Sequence, residues 1–331
     1  MDRPLVALVL AGGTGTRLYP ATGPDRPKQF LSFGGDRSLL ARTVSRTAFA
    51  DETYVLTRPD YADAIHDHAP GVAVLTEPEP KDTGPALVYA AHRIRDQVGD
   101  CAILVLPSDH HVEGEGEFAT TARTAARVAV ETGGLVTVGI EPTRPATGYG
   151  YIDPGETREG YAVVDRFVEK PDAETAETFV DAGYLWNAGI FAWTPDAFLA
   201  AARNSELATL VDALDAGEAD RGFETVASVS VDTAVLETAD NVAVVPAAFA
   251  WDDLGSWDAL GRILDTDDSG NATLGDTLTL DATDCVLASD GHVSAVGVDN
   301  LVVASFDDNT LVVPRDQAQR VRDVVSQRRE Q

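Results

Sequence analysis

Apolar and polar residues alternate in blocks along the chain. Leu5–Leu10 is a continuous apolar run of strand length, followed at once by a glycine-rich turn. Ser38 then stands where a helix N-cap is needed, with Leu39, Leu40, Thr43 and Val44 spaced for one helical face. Short apolar runs return at 53–56, 72–75, 102–106 and Leu135–Ile140. Between them Pro59 suits a first helical turn, and Thr83 is placed to cap a helix with the stripe Leu87, Val88, Ala91, Ile94. A longer helical pattern covers about 117–131. This β-α-β-α rhythm predicts an α/β fold, a mostly parallel sheet with helices on both faces. Ligands of such sheets gather beyond the carboxyl ends of the strands.

From about Thr147 the pattern loosens into a strand at 161–169, a helix from Asp172 and a strand at 188–193. After Asp268 it changes again, to short β-like runs at 278–280, 285–288, 293–296, 301–304 and 310–313, broken by turns such as Asp290-Gly291 and Asp299-Asn300. A last helix is expected over 316–328. The expected division is 1–268 and a small β-rich C-terminal domain, 269–331; no fixed-period repeat calls for a β-helix.

Composition narrows the function classes. The 331 residues include 25 basic and 54 acidic side chains, a net charge of −29, with 44% hydrophobic residues. That charge excludes a general binder of nucleic acid or anionic membrane, since both need a positive face. No apolar run approaches the roughly 18 residues of a membrane span. Cys101 and Cys285 form neither a metal spacing nor a disulfide framework. The opening Met-Asp-Arg-Pro shows no signal-peptide cleavage site, so a soluble cytoplasmic protein is expected. The acids are spread without a block of five or six, as in proteins of a molar-salt cytoplasm, where a Debye length of about 3 Å screens self-repulsion. Only three lysines remain, Lys28, Lys81 and Lys170, so each is a stronger candidate for a specific role.

The loop after the first strand reads Leu10-Ala11-Gly12-Gly13-Thr14-Gly15-Thr16-Arg17-Leu18. Glycines let backbone approach a phosphate, and successive N–H groups can cradle it. Leu18 stands where a dinucleotide fingerprint needs Gly or Ala, which disfavours a nicotinamide-binding oxidoreductase; a Walker A loop would end Gly-Lys-Ser/Thr. Downstream lies Arg26-Pro27-Lys28-Gln29-Phe30-Leu31. Together these segments resemble the sugar-1-phosphate nucleotidyltransferases, and Gln29-Phe30 points to the mannose-1-phosphate guanylyltransferases among them. Further matches follow in order: Glu77-Pro78, Thr83-Gly84-Pro85-Ala86, Pro107-Ser108-Asp109-His110, Gly148-Tyr149-Gly150, Glu169-Lys170-Pro171, Trp186-Asn187-Ala188-Gly189, Trp251-Asp252-Asp253-Leu254-Gly255-Ser256-Trp257 and Gly270-Asn271.

The resemblance implies a Rossmann-like sheet of the nucleotide-diphospho-sugar transferase type and the short, single-activity form of the family. It implies GTP and mannose 1-phosphate as substrates, joined into GDP-mannose and pyrophosphate with Mg2+. Arg17 and Lys28 would be catalytic, with N–H groups from Gly13 to Thr16 at the triphosphate. Gly12, Gly13, Gly15, Thr16, Glu77, Thr83 and Ser108 would line the nucleotide, with Lys81 either beside it or a plain loop charge. Lys170 would hold the sugar phosphate, Glu169 the mannose hydroxyls, and Gly148, Tyr149 and Asn187 the sugar pocket. Asp109 and Asp253 would hold the metal, with Asp252 the competitor for Asp253. His110 and His111, adjacent in sequence, suit supporting rather than ligand roles.

Four positions depart from the family pattern. Tyr19 replaces Trp, Gly23 replaces a frequent Arg for which Arg26 is a substitute, Asp82 replaces Asn, and Thr233 replaces Tyr. Other bases, other hexose 1-phosphates and a non-catalytic sugar-nucleotide-binding homologue remain alternatives, and a homo-oligomer is left open.

Overall fold

Six consecutive apolar residues make the buried strand β1 (Leu5–Leu10) of a computed structural model that describes residues 3–13 and 15–329. The strands that follow are β2 (Glu52–Thr57), β3 (Ala73–Thr76), β4 (Ala102–Pro107), β5 (His111–Glu113), β6 (Leu135–Ile140), β7 (Tyr151–Arg158), β8 (Tyr161–Val168), β9 (Leu185–Trp193), β10 (Val242–Pro246) and β11 (Ala250–Asp252). By its contacts the chain forms two units. The first is Met1–Gly12, Thr43–Pro107 and Val112–Trp251; the second is Gly13–Arg42, Ser108–His111 and Asp252–Gln331.

The first unit is built on a nine-stranded sheet in the order β3-β2-β1-β4-β9-β6-β10-β8-β7. β9 and β8 run against the other seven strands, so the sheet is mixed and mostly parallel. Strand order reverses at β1, between β2 and β4, the kind of point at which open α/β sheets take ligands. Alternate residues Val6, Leu8, Ile103 and Val105 bury against the stripe Leu87, Val88, Ala91 and Ile94 of helix Thr83–Val98. Helix Glu115–Thr132 packs on β4, β6 and β9, so helices cover both faces. Helix Thr83–Val98 is capped by Asp82 rather than Thr83: Asp82, at φ +70°, accepts the Thr83 N–H at 2.7 Å.

The second unit contains β12 (Ala272–Leu280), β13 (Val286–Val296), β14 (Leu301–Phe306) and β15 (Asn309–Pro314). The first three are parallel neighbours in sequence order, and the fourth folds back antiparallel. Ala272, Val286 and Val302 stand in one row. These are successive coils of the small β domain expected from the sequence, although no fixed-period repeat called for a β-helix there. The spacing is fourteen residues at Ala272–Val286 and sixteen at Asp276–His292 and Val286–Val302, so it changes within the first coil. Left-handed backbone at Asp281, Asp284 and Asn300 turns the corners. Asn271, fully buried, pins one corner: it donates to Ala282 O at 2.8 Å and Asp267 Oδ2 at 3.0 Å and accepts Cys285 N–H.

Two further boundaries differ from the sequence reading. Segments 285–288 and 293–296 are one strand that itself carries the change of register: Leu274 pairs with Ala288 and Asp276 with His292, so the extra residues lie in this strand opposite Gly275. Gly275 lies there at φ +91°, where a Cβ would sit 2.0 Å from Ser289 O. The last helix opens as a tight turn, Arg315–Arg320, and becomes α-helical only at Val321–Arg329.

The loop segment 13–42 belongs to this unit. Leu18, Ala21, Phe33 and Leu39 share a core with Trp257, Val286, Val302 and Phe306. Trp257 Nε1 donates to Tyr19 O at 2.9 Å, and Tyr19 OH to Asn309 Oδ1 at 3.0 Å. The Tyr at position 19 thus serves the β coils. Arg26 donates to Ala21 O, lies over the Phe306 ring and faces Asp290 and Asp307.

Candidate functional site

In the second unit the chemistry converges on Lys28. Pro27, extended, leads into the turn Lys28–Phe30 and delivers a lysine that is only 4% exposed. Its Nζ donates to Asp109 Oδ2 at 2.8 Å and to Asp253 O at 2.6 Å. Gly15 makes room for this stem: its φ is +64°, and a Cβ there would lie 2.4 Å from Lys28 Cβ. So Gly15 serves a side chain of the site as well as the loop. Gly13 has open space around it, and Thr14 lies outside the described residues. Arg17 is half-buried on the turn Thr16–Leu18.

Asp109 sits with buried Ser108 on the turn after β4. Burial pushes its carboxyl up, but the Lys28 ammonium and then His110 outweigh that and hold it below the usual range. Asp253 behaves alike: burial raises it, while Lys28, His110 and Arg17 together bring it below the ordinary value. Both acids are therefore ionised at neutral pH. Burial, with Lys28, pushes His110 down despite Asp109, Asp253 and Asp252, so it is a neutral imidazole there.

Hydrogen bonding distinguishes Asp252 from Asp253. Asp252 accepts Leu254 N–H at 2.9 Å with one oxygen and takes Arg262 on the other, at 2.8 and 3.2 Å. Asp253 accepts Gly255 N–H in its own turn, at 2.9 Å, and feels the charges of Lys28 and Arg17. That turn is special backbone: Leu254 is at φ +49°, and a Cβ on Gly255 would lie 2.3 Å from Asp253 Oδ2. Among the described residues no group of three or more His, Cys, Asp or Glu could hold a metal by itself. Two ionised carboxylates suit a hard cation such as Mg2+, which completes its shell with water and substrate phosphate.

In the first unit two groups stand out. At the carboxyl ends of the strands, Ala11 N–H meets Leu56 O, Thr57 Oγ1 meets Ala11 O, and Glu77 N–H meets Thr57 O. Glu77, 5% exposed, lies beside Gly12, where a Cβ would be 3.3 Å from Glu77 Oε1. Its Oε2 is buried with no hydrogen-bond partner among the described residues. Burial, against the pull of Arg58 and with a push from Asp82, raises this carboxyl to about 7. Thr83 is engaged structurally: Oγ1 accepts Val231 N–H at 2.9 Å, and a Cβ on Gly84 would strike Val229 O at 2.7 Å. Lys81 is a structural tie too, reaching Val226 O at 3.2 Å and Glu79 at 3.4 Å.

The second group gathers Gly148, Tyr149, Glu169, Lys170 and Asn187. Lys170, at φ +47°, donates its N–H to Tyr149 O and pairs through Nζ with Glu169. Gly150 leaves space for Glu169, whose Oε2 would be 2.6 Å from a Cβ there; Gly148 has open space around it. Tyr149 packs edge-on to Trp186 and Trp251, and the Arg144 guanidinium lies 5.1 Å from the Trp186 ring. Asn187 Nδ2 donates to Asp232 Oδ1 at 2.8 Å. Asp232 and Arg144 were not singled out from sequence. Asp232 stands beside Thr233, but one acid among 54 carries no signal of its own.

Comparison with known proteins places the whole chain among known families. A family described as nucleotidyl transferase matches residues 6–269, and a mannoseP isomerase/GMP-like beta-helix domain matches 275–327. Xanthan biosynthesis protein XanB of Xanthomonas campestris pv. campestris is 38% identical, over 98% of this chain and 73% of its own. A mannose-1-phosphate guanylyltransferase of Klebsiella pneumoniae is 35% identical, over 97% of this chain and 73% of its own. A crystal structure described as mannose-1-phosphate geranyltransferase from Thermus thermophilus superposes with a TM-score of 0.91 at 35% identity, over 98% of this chain and 99% of that one.

Proposed function

The chain belongs to the nucleotidyl transferase family, an enzyme family, and on that premise we propose that it transfers GMP from GTP to mannose 1-phosphate, releasing pyrophosphate. The observation that carries this reading is the buried Lys28 ammonium, which meets Asp109 Oδ2 and Asp253 O beside two acids kept ionised. Two polyanions must meet on a protein of net charge −29, so positive charge has to be local. The relatives named as mannose-1-phosphate guanylyltransferases support the choice of substrates.

In this reading an oxygen of the sugar phosphate forms a bond to the α-phosphorus, the bond from that phosphorus to the bridging oxygen breaks, and pyrophosphate leaves with the electron pair. The nucleophile is already an anion, so no base is needed. Catalysis rests on positioning and charge stabilisation. Arg17 and the N–H groups of Gly13, Gly15 and Thr16 bind the triphosphate, and Lys28 contacts the phosphate oxygens at the reacting centre. Asp109 and Asp253 would hold Mg2+, which when bound neutralises phosphate charge. Lys170 holds the sugar phosphate and Glu169 accepts from mannose hydroxyls, with Gly148, Tyr149 and Asn187 about the sugar.

Glu77 supports guanine. An unpartnered buried carboxylate wants two adjacent donors, and the guanine edge offers N1–H and the exocyclic amine side by side. Thymine and uracil present one donor there, and adenine none at N1. Glu77 titrates near 7 in the folded chain, above its ordinary value, so its protonated form is favoured below that pH and cannot accept both bonds. GTP is therefore expected to be the best of the common nucleoside triphosphates with mannose 1-phosphate, in molar KCl with Mg2+. Its KM should rise as pH falls below about 7. Glu77→Gln should cut kcat/KM for GTP about 100-fold and flatten that pH dependence. Equal rates with ATP or UTP, or a pH-independent KM, would defeat the guanine assignment. The number and even spread of the acids support a salt-adapted setting.

A further inference from the structure

The turn Thr16–Leu18, which presents Arg17, is weakly held by its own bonds. Gly15 before it offers no side-chain cap. Its backbone bonds, Leu18 N–H to Gly15 O and Tyr19 N–H to Thr16 O, are long, at 3.2 and 3.3 Å. Among the described residues the Arg17 side chain has no hydrogen bond or ion pair of its own. Its aim depends on the backbone that carries it.

That backbone is anchored by the coils and the final helix of the same unit. Leu18, 1% exposed, shares the core of Trp257 and Phe306, and Trp257 Nε1 holds Tyr19 O. The Tyr19 side chain then closes a triangle with Asn309, at the start of β15, and Arg328, on the helix Val321–Arg329. Tyr19 OH donates to Asn309 Oδ1 at 3.0 Å and accepts from Arg328. Arg328 also donates to Asn309 Oδ1, at 2.7 Å, and its guanidinium carbon lies 5.3 Å from the centre of the Tyr19 ring. The amide oxygen uses both lone pairs, and the phenol gives one bond and takes one. An indole at position 19 could donate to Asn309 but has no oxygen for Arg328, so the triangle needs the tyrosine of this chain. A cavity of about 410 Å³, lined by Thr16, Tyr19, Asn309, Val325 and Arg328 among others, leaves the turn room to shift if the triangle opens.

We propose that Tyr19, Asn309 and Arg328 form a clamp that positions Arg17 for the triphosphate, which makes the final helix part of the transfer machinery. Tyr19 and Arg328 are positioning residues, acting through the turn rather than on the substrate. This rests on the reading that Arg17 binds the triphosphate. Small misplacements set up away from the reacting atoms are costly, because catalysis of this kind depends on alignment.

The test is a double-mutant cycle in the full chain, with initial rates measured separately against GTP and mannose 1-phosphate. Tyr19→Phe removes the phenol oxygen, and Arg328→Met removes the guanidinium but keeps an apolar stem. Each should lower kcat/KM for GTP about tenfold. The KM for mannose 1-phosphate should stay within about twofold, and the melting temperature within about 3 °C. In an Arg17→Ala background, already impaired, neither change should cost more than about a further twofold. Wild-type values in either single variant would overturn the clamp. So would the same tenfold loss repeated in the Arg17→Ala background, or equal losses toward both substrates with a falling melting temperature. If the wild type does not use GTP, or Arg17→Ala keeps its kcat/KM, the reading of Arg17 itself fails and the clamp falls with it.

Discussion

Replacing Lys28 by methionine is expected to lower kcat about 10³-fold, roughly 4 kcal/mol of transition-state stabilisation, while the far-ultraviolet circular dichroism spectrum is unchanged. The methionine stem fits beneath Gly15, whose missing Cβ leaves the room that Lys28 uses. What disappears is the charge that meets Asp109 Oδ2 and Asp253 O. Burial then acts on Asp109 without its main counterweight, so its carboxyl rises, and protonation begins at a higher pH than in the wild type. The acidic limb of the rate profile should shift upward accordingly. A rate within tenfold of the wild type would remove Lys28 from the reaction.

Asp253→Asn is expected to lower kcat about 100-fold or more and to raise the Mg2+ concentration needed for half-maximal rate by about tenfold. The amide oxygen can still accept Gly255 N–H, so the turn with Leu254 at φ +49° is kept. Asp252→Asn should do the opposite. It weakens the double contact with Arg262, so the melting temperature falls while kcat changes by no more than about threefold. The crossed pattern follows from the surroundings of each acid: one is bound up in structure and its neighbour faces Lys28 and Arg17. The reverse pattern, or equal losses at both positions, would contradict the assignment.

Much of this was legible before the structure. The runs Leu5–Leu10 and Leu135–Ile140 became strands within those same bounds, because buried parallel strands need unbroken apolar residues. Lys28 and Asp109 stood out through motif and through the scarcity of lysine, and they meet. Other features depend on long-range packing. The coil spacing changes from fourteen to sixteen residues within one pair of strands, which blurs its period. Asp252 and Asp253 are equal until Arg262, ten residues on, claims one of them. Thr83 was visible by motif, but its bond with Val231 N–H, 148 residues away, was not. Glu77 was visible, but its unpartnered oxygen and its titration near 7 come from strand ends brought together.

The central claim is guanylyl transfer, and its most direct measurement follows the α-phosphorus. With GTP labelled there, mannose 1-phosphate, Mg2+ and molar KCl, the label is predicted to appear in GDP-mannose. Pyrophosphate should form in equal amount, and the Lys28→Met chain should transfer almost none. Label that stays in GTP, or that appears in GDP or free GMP with no sugar nucleotide, would contradict the account.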